Sequence, residues 1–372
     1  MDDRISARQF LVLVIFFTIG SSILFVPSVT TTYAKQDAWV SIITGIGLNL
    51  LLVYLYIAVT DRYPGLSLVE LSQKLLGKWF GAAVAVFLII NSFVIGAVSL
   101  VDFAGTFVSR QIMPDTPVYA ANILYVLPAV IGLRLGLRTV ARAAEAMFPL
   151  ITFLFIIMIL TVAPNINPEH LQPVFEAGFK ALVKANLSYF AFSTFPTVFL
   201  LMIYPSCVKE GKKVSKAFLF GIFIAGLFLL IITTVCIAVL GAEGTARQAY
   251  PSYTLAKKIN IADFFTRIEV LMATLWLIAL YFKLVVYFYA GMKGLAQLFN
   301  MQNYRALVLP LGVISVALSR ILYPSAAYRH EWDAKIWPLY VGTSGVIIPL
   351  LLLGTDAVKK RLRKRRFHKE GV

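Results

Sequence analysis

The chain has 372 residues, of which 59% are hydrophobic and only 14% are charged, and its mean hydropathy is +0.82. A soluble domain carries about 25% charged residues, so the composition excludes a soluble globular protein and predicts an all-α polytopic membrane protein. The net charge of +16 is concentrated in the last stretch, 359–369. A basic segment that follows a last membrane helix typically contacts anionic lipid, so we expect anionic lipid there and no nucleic-acid partner.

The residue types that carry most enzyme chemistry are few. Cys207 and Cys236 lie in or beside apolar segments and are predicted to be core residues. His170, His330 and His368 fall in predicted loops or in the tail. Because these residues form neither a metal-ligand pattern nor a nucleophile–base pair, the sequence predicts no enzyme, no metal and no cofactor.

Ten apolar segments are long enough to cross a bilayer, which takes about 20 residues each. They cover 8–33, 37–60, 81–109, 117–134, 143–163, 180–206, 215–240, 264–290, 305–324 and 335–354. The sequence therefore predicts a ten-helix transmembrane domain over 1–354, followed by a basic tail over 355–372. Lys and Arg are more frequent in the connections on the side of the N-terminus, which predicts that both termini are cytoplasmic.

Two connections have patterns of their own. Ser67 and Glu70 form a capping-box pattern before an amphipathic stretch, which predicts a short helix on the inner surface. The stretch 242–264 is the longest external connection. We expect it to contain short helices that cover an outer vestibule, and an exposed linker is the alternative.

Two predicted membrane helices carry residues that break regular winding. The first has Gly20-Ser21-Ser22 at its centre, and the sixth has Ser193-Thr194-Phe195 followed by Pro196. Proline lacks an amide hydrogen and clashes with the preceding turn, so the sixth helix must kink or unwind. Close packing of small residues is the simpler explanation for Gly20 alone, but a second break at a matching position favours a binding site.

The breaks fall in the first helix of each of two five-helix halves, 1–164 and 174–354. An odd number of spans gives the halves opposite orientations, which is the inverted-repeat design of many secondary transporters. Unwound backbone at membrane depth is tolerated where it lines a polar cavity. Because half-helix ends attract both carboxylate and ammonium groups, an amino acid is the first candidate ligand.

Three stretches resemble the spore germination permease family, the B subunits of nutrient germinant receptors, within the amino acid–polyamine–organocation transporter superfamily. They are RISARQFLVLVIFFTIGSSILFVP, TDRYPGLSLVELSQKLLGKW and NINPEHLQPVFEAGFKALVKANLSYFAFSTFP. The resemblance implies a LeuT-like 5+5 inverted repeat with helices one and six broken. It also implies nutrient sensing in the inner spore membrane, with an A subunit and a lipoprotein C subunit as partners.

Ionisable residues at membrane depth are candidates for function. Asp102 lies toward the outer side of the third span and Lys283 toward the inner side of the eighth, so we expect no direct ion pair between them. Lys283 and Tyr287 share one helical face. Lys283 is a candidate to bind a carboxylate or to replace a cation, and extension of its side chain toward the inner interface is the alternative.

A polar stripe along the third span has helical spacing and faces either a cavity or a neighbouring helix. The candidate ligand-binding residues are Gly20, Ser21, Ser22, Asn91, Ile95, Ser99, Phe192, Ser193, Thr194, Phe195, Lys283 and Tyr287.

Three functions remain in competition. The first is a germinant-sensing subunit that binds a small nutrient at the two breaks and acts with partner subunits. The second is a stand-alone proton- or cation-coupled amino acid permease. The third, a membrane enzyme or scaffold, lacks a converging set of catalytic residues.

Overall fold

A computed structural model describes residues 3–208, 211–258 and 269–369. Within these ranges the regular structure is helical, and one isolated β-bridge joins Ile5 to Val208. The first half contains α1 (Ala7–Ile19), α2 (Ser22–Ala34), α3 (Ala38–Thr60), α4 (Leu68–Leu76), α5 (Lys78–Ile90), α6 (Ser99–Phe107), α7 (Val118–Leu135) and α8 (Leu137–Val162).

The second half contains α9 (Phe179–Tyr189), α10 (Tyr204–Cys207), α11 (Gly211–Arg247), α12 (Pro251–Lys257), α13 (Glu269–Leu298), α14 (Val308–Ser319), α15 (Ala326–Glu331), α16 (Trp337–Gly342) and α17 (Ile348–Lys369). Segments of π-helix connect several of them: Asn91–Val98, Val108–Ile112, Phe190–Thr194, Trp332–Ile336 and Thr343–Ile347. The chain is an integral multi-pass membrane protein.

Eight described helical stretches are long and apolar enough to cross a membrane, whereas the sequence predicts ten spans. They are Ser22–Thr60, Lys78–Ile112, Val118–Leu135, Leu137–Asn165, Phe179–Met202, Lys213–Arg247, Glu269–Leu298 and Ala327–Leu362. The difference has two sources. The predicted first span divides after Ile19, and its second part runs on into α3; the predicted ninth span is the shorter helix Tyr304–Ser319.

The short helix predicted after the second span is confirmed. α4 begins after Ser67, whose side chain accepts from the Glu70 amide while the Glu70 carboxylate accepts from the Ser67 amide. The helix ends at Leu76, and the capping residue Gly77 has a φ of +87°, which favours glycine.

The predicted external connection is partly helical. α11 continues to Arg247 across a kink at Gly241, where φ is +73°, and α12 follows. Residues 259–264 of that connection, and the first residues of the predicted eighth span, lie outside the described residues.

No helix boundary separates the predicted tail from the last span, because α17 continues past position 354 to Lys369. Asp356, in its third turn, is buried and pairs with Arg62 at 2.6 Å and with Lys360 at 3.1 Å. It also accepts a hydrogen bond from the Tyr63 hydroxyl at 2.6 Å, which raises the pKa of Tyr63. The third turn of α17 is therefore held by ionic and hydrogen-bond contacts against the connection after α3.

The helices form an inner and an outer set. α1 and the middle of α13 are almost wholly buried, whereas α7 and α8 expose apolar side chains such as Leu124, Ile131 and Phe153. Apolar side chains face lipid at no cost, so α7 and α8 are peripheral and α1 and α13 are central. The first predicted break follows α1, and residues 195–202 of the second are also buried.

Candidate functional site

The first interruption is short. α1 ends at Ile19, Gly20 has the non-helical angles φ −30° and ψ −85°, and α2 begins at Ser22. A Cβ atom on residue 20 would lie 2.8 Å from both Cβ and Cδ of Lys283. Glycine is therefore required here because the stem of Lys283 passes directly against the backbone.

The second interruption extends over residues 190–202. The chain winds as a π-helix over Phe190–Thr194 and then as a 3₁₀-helix over Phe195–Met202, before α10 begins. Regular α-helical bonding is lost over this stretch, so its carbonyl groups need other donors.

Side chains supply those donors. Ser193 Oγ donates to the Tyr189 carbonyl at 2.7 Å, and Trp337 Nε1 donates to the Ala191 carbonyl at 2.9 Å. The Phe192 carbonyl accepts from Ser22 Oγ at 2.9 Å. The last of these bonds links the two interruptions directly.

Lys283 makes a second link between them. Its Nζ donates to Ser21 Oγ at 2.8 Å and to the Phe192 carbonyl at 3.1 Å, and it lies 5.4 Å from the centre of the Phe17 ring. The side chain is buried, which rules out extension toward an interface. No carboxylate among the described residues forms an ion pair with it, so the Lys283 amino group lies buried between the two breaks with a hydroxyl, a carbonyl and an aromatic ring around it.

A central cavity of about 50 Å³ lies beside Lys283. It has room for a few water molecules, since one water needs about 10–15 Å³ on this measure. Six of the predicted residues line it: Ser21, Ile95, Ser99, Phe192, Lys283 and Tyr287. The other lining residues include Phe25, Phe103, Pro196, Tyr323, Arg329, Asp333 and Trp337.

The remaining predicted residues stand behind the cavity wall: Gly20, Ser22, Asn91, Ser193, Thr194 and Phe195. Gly20 supports the Lys283 stem, Ser22 donates to the Phe192 carbonyl in the second interruption, and Ser193 donates to the Tyr189 carbonyl at the end of α9. Asn91 is buried and donates to the Ser344 hydroxyl. It therefore faces a neighbouring helix, which was the alternative interpretation of the polar stripe.

Sequence reasoning missed the partners of Asp102. The carboxylate pairs with Arg320 at 2.9 Å and with Arg329 at 2.6 Å. Tyr323 hydrogen-bonds to Ser99 at 2.8 Å and lines the cavity. A signal was present, because a buried carboxylate at that depth requires a cation from a neighbouring element.

A wide vestibule of about 490 Å³ lies next to the central cavity. Both spaces are lined by Phe25, Phe103, Phe192 and Arg329. The Phe25 ring stacks on Phe103 at 4.3 Å and on Phe192 at 5.6 Å, and Arg329 lies 5.2 Å from the Phe103 ring. One layer of aromatic rings, which we call the aromatic layer, thus separates the cavity from the vestibule.

On the side of the cavity away from the vestibule, several successive contacts close the structure. The Ile5 amide donates to the Cys207 carbonyl at 2.8 Å, and Tyr204 donates to Asp61 at 2.7 Å. Lys293 donates to Ser206 at 2.8 Å and to the Tyr289 hydroxyl at 3.0 Å. The cavity is therefore closed more thickly toward the N-terminal segment than toward the vestibule.

The arrangement has the fold of a secondary transporter. It matches the nucleobase-cation-symport-1 family transporter Mhp1, in a closed conformation with bromovinylhydantoin bound, with a TM-score of 0.68, 11% identity, and coverage of 94% of this chain and 79% of that one. It matches MhsT in complex with L-phenylalanine with a TM-score of 0.65, 14% identity, and coverage of 96% and 99%. At these identities the likeness shows the fold alone.

The family follows from the sequence. The profile of the family described as spore germination protein matches residues 4–325, so the chain belongs to that family. Spore germination protein KB of Bacillus subtilis (strain 168) is 28% identical over 366 residues, covering 97% of each chain. Spore germination protein YndE of the same organism is 23% identical over 369 residues, covering 97% of this chain and 99% of its own.

Proposed function

We propose that this chain is the membrane subunit of a spore germinant receptor and that it binds a small nutrient between its two interruptions. The observation that carries the proposal is Lys283, a buried lysine whose Nζ bridges Ser21 and the Phe192 carbonyl at the edge of the central cavity. A charge at membrane depth is costly and marks a functional site by default.

The proposed architecture is a LeuT-like repeat of five plus five helices, with halves 1–164 and 174–354 and a basic tail over 355–372. α1 with α2 form the broken first helix, and α9 with the segment to Cys207 form the broken sixth helix. The ninth is the short helix Tyr304–Ser319. In this arrangement both termini are cytoplasmic, the membrane is the inner spore membrane, and an A subunit and a lipoprotein C subunit are the partners.

The site favours a ligand with a carboxylate. The Phe192 carbonyl has two lone pairs, and Ser22 and Lys283 already use both. An incoming ammonium would have to displace Lys283 there. An ammonium group has three donors, so Lys283 keeps one for a ligand carboxylate, and Asp333 on the cavity wall is the candidate acceptor for an α-amino group.

Binding requires the cavity to expand. A volume of about 50 Å³ is well below the 300–1,000 Å³ of typical ligand pockets. The aromatic layer is the thinner wall, so we propose that a nutrient enters from the vestibule as Phe25, Phe103 and Phe192 separate. A ligand shifts such an equilibrium only by its different affinities for the two states, and partner subunits would then transmit the shift.

Direct binding to the purified chain tests this proposal. The common L-amino acids are screened by calorimetry, and the best ligand is compared with its deaminated acid and its decarboxylated amine. We expect the acid to retain binding and the amine to lose it. Lys283→Met should lower the affinity at least about tenfold, because a hydrogen bond to a charged group contributes about 1.5–3 kcal/mol.

Lys293→Met is the matched control. It removes a second lysine from α13, one that contacts Ser206 and Tyr289 on the far side of the cavity, and should leave the affinity unchanged. Equal losses in both variants, or an amine that binds as well as the amino acid, would reject the role assigned to Lys283.

A stand-alone amino acid permease is the second candidate, favoured by the fold shared with MhsT in complex with L-phenylalanine. Proteoliposomes that contain only this chain separate the two. Concentrative uptake of a labelled ligand that binds would favour the permease. Binding without uptake, together with co-purification of A and C subunits, would favour the receptor.

A further inference from the structure

An apolar groove runs along the outer surface of the helices beside the first turns of α1, between α1, α3 and α11. Its volume is about 620 Å³. The walls are formed by Leu11, Leu50, Leu219, Phe220 and Phe223, and the exposed surface of the groove is almost entirely apolar. We call it the α1–α11 groove.

One end of the groove carries positive charge. Arg8, Lys213 and Lys216 line this end and are all exposed. Glu145 pairs with Arg8 through Nε at 3.0 Å, and a guanidinium has further donors beyond that nitrogen. Lys213 and Lys216 lie in the first two turns of α11, so their charges lie at the same end of the groove as Arg8.

The dimensions match one leaflet of a bilayer. Ten residues separate Lys213 from Phe223 on α11, which is about 15 Å at 1.5 Å per residue. The hydrocarbon core of a bilayer is about 30 Å thick, so the groove extends from a basic edge to about the mid-plane. A charged end with an apolar channel of this length has the shape and polarity of a phospholipid.

We propose that the α1–α11 groove binds an anionic phospholipid. The phosphate group lies at Arg8, Lys213 and Lys216, and an acyl chain lies against Leu50, Phe220 and Phe223. Basic pockets between membrane helices are suited to anionic headgroups. The apolar walls offer a partner protein few polar groups to recognise, so the lipid is the occupant that the charge pattern favours.

The position of the groove gives the lipid a structural role. α1, one of its walls, ends at the first interruption, and α11 packs closely against it: a Cβ on Gly221 would lie 2.9 Å from Val14. A lipid in the groove would therefore brace the half-helix before Gly20 against α11. This site is separate from the nutrient cavity, and its test needs no nutrient.

The test is native mass spectrometry of the purified chain with dioleoylphosphatidylglycerol and dioleoylphosphatidylcholine, which share their acyl chains. We expect the chain to retain phosphatidylglycerol about tenfold more than phosphatidylcholine, because each basic residue near the headgroup adds substantially to anionic-lipid binding. In the double variant Lys213→Gln and Lys216→Gln, most of this preference should be lost, and the remainder is that of the basic tail over 355–372.

The control is the double variant Lys74→Gln and Lys78→Gln, which removes the same charge from exposed positions on α4 and α5. It should keep the preference. The proposal is overturned if the chain shows no headgroup preference, if both double variants lose it equally, or if a co-purified partner subunit occupies the groove and excludes phosphatidylglycerol.

Discussion

The two interruptions in the central helices are built differently. The first takes two residues and depends on the missing side chain of Gly20, against which the Lys283 stem packs. The second extends over residues 190–202 and depends on donors from other elements, among them Ser22, Lys283 and Trp337. A single added methyl group should therefore damage the first, whereas the second should tolerate local changes except where its backbone is tightly packed.

Gly345→Ala should have the largest effect on stability. A Cβ there would lie 2.7–2.9 Å from Cβ, Cα and the carbonyl oxygen of Phe195. Backbone cannot move aside as a flexible side chain does, so we expect a destabilisation of about 3 kcal/mol, the upper end for overpacking. Thermal unfolding can be followed with a thiol-reactive dye, since Cys207 and Cys236 are both free and buried.

Gly354→Ala serves as the control on the neighbouring helix α17, because a Cβ there meets nothing within 4 Å. It should unfold like the wild type. If Gly345→Ala also did so, the second interruption would not depend on this close approach.

Gly20→Ala should have the next largest effect, and it should reduce ligand binding as well as stability. The new Cβ would lie 2.8 Å from two carbon atoms of Lys283, so the side chain must shift and its bonds to Ser21 and Phe192 must lengthen. We expect about 1–2 kcal/mol of destabilisation and about a tenfold lower affinity for the ligand that Lys283 binds.

The matched control is Gly47→Ala on α3, where the added Cβ meets open space. Calorimetry and thermal unfolding of both variants give the comparison. Unchanged affinity in Gly20→Ala would show that the position of Lys283 does not matter for binding.

Trp337→Phe tests whether distant donors hold the second interruption open. The indole N–H donates to the buried Ala191 carbonyl at 2.9 Å, and phenylalanine keeps an aromatic ring, smaller than the indole, but removes the donor. An unsatisfied buried group costs about 1–3 kcal/mol, and we expect the lower part of that range. Trp79→Phe, at an exposed position, should leave the thermal midpoint unchanged, and an equal drop in both would contradict the assignment.

The parts of this molecule that sequence could predict are those set by local pattern. Long apolar stretches gave the membrane helices, and the spacing of Ser67 and Glu70 gave α4. The same patterns predicted ten spans, whereas eight described helical stretches are long enough to cross a membrane. Hydropathy contains no information on where α1 ends, at Ile19, or on the short length of the helix Tyr304–Ser319. Span counting measures polarity, whereas the helix boundaries depend on backbone angles.

The rest of the site depends on which elements meet in space. Asp102 was recognised as unusual, but its partners Arg320 and Arg329 come from the end of α14 and from α15, more than 200 positions away. Trp337 was not a candidate because an indole that reaches a freed carbonyl leaves no periodic signal. Asn91 follows the polar stripe but faces Ser344, since a π-helical turn over Asn91–Val98 rotates the face that α-helical spacing predicts.

Pro196→Ala should have the smallest effect, although the sequence pointed to this proline as the cause of the second interruption. The departure from α-helix begins at Phe190, upstream of the proline, and Pro196 occupies the first turn of the 3₁₀-helix. A missing amide hydrogen is tolerated in a first turn, so the proline fits the interruption without creating it.

We therefore expect Pro196→Ala to change stability by no more than about 0.4–1 kcal/mol, the range set by the unfolded chain, and to change ligand affinity less than about twofold. Thermal unfolding and calorimetry on the purified variant measure both. The donors from Ser22, Ser193 and Trp337 remain in place in this variant. A tenfold loss of binding, with the stability of the chain retained, would contradict this assignment. It would mean that the proline ring itself prevents residues 190–202 from forming an α-helix, and that the side-chain donors do not determine the backbone path.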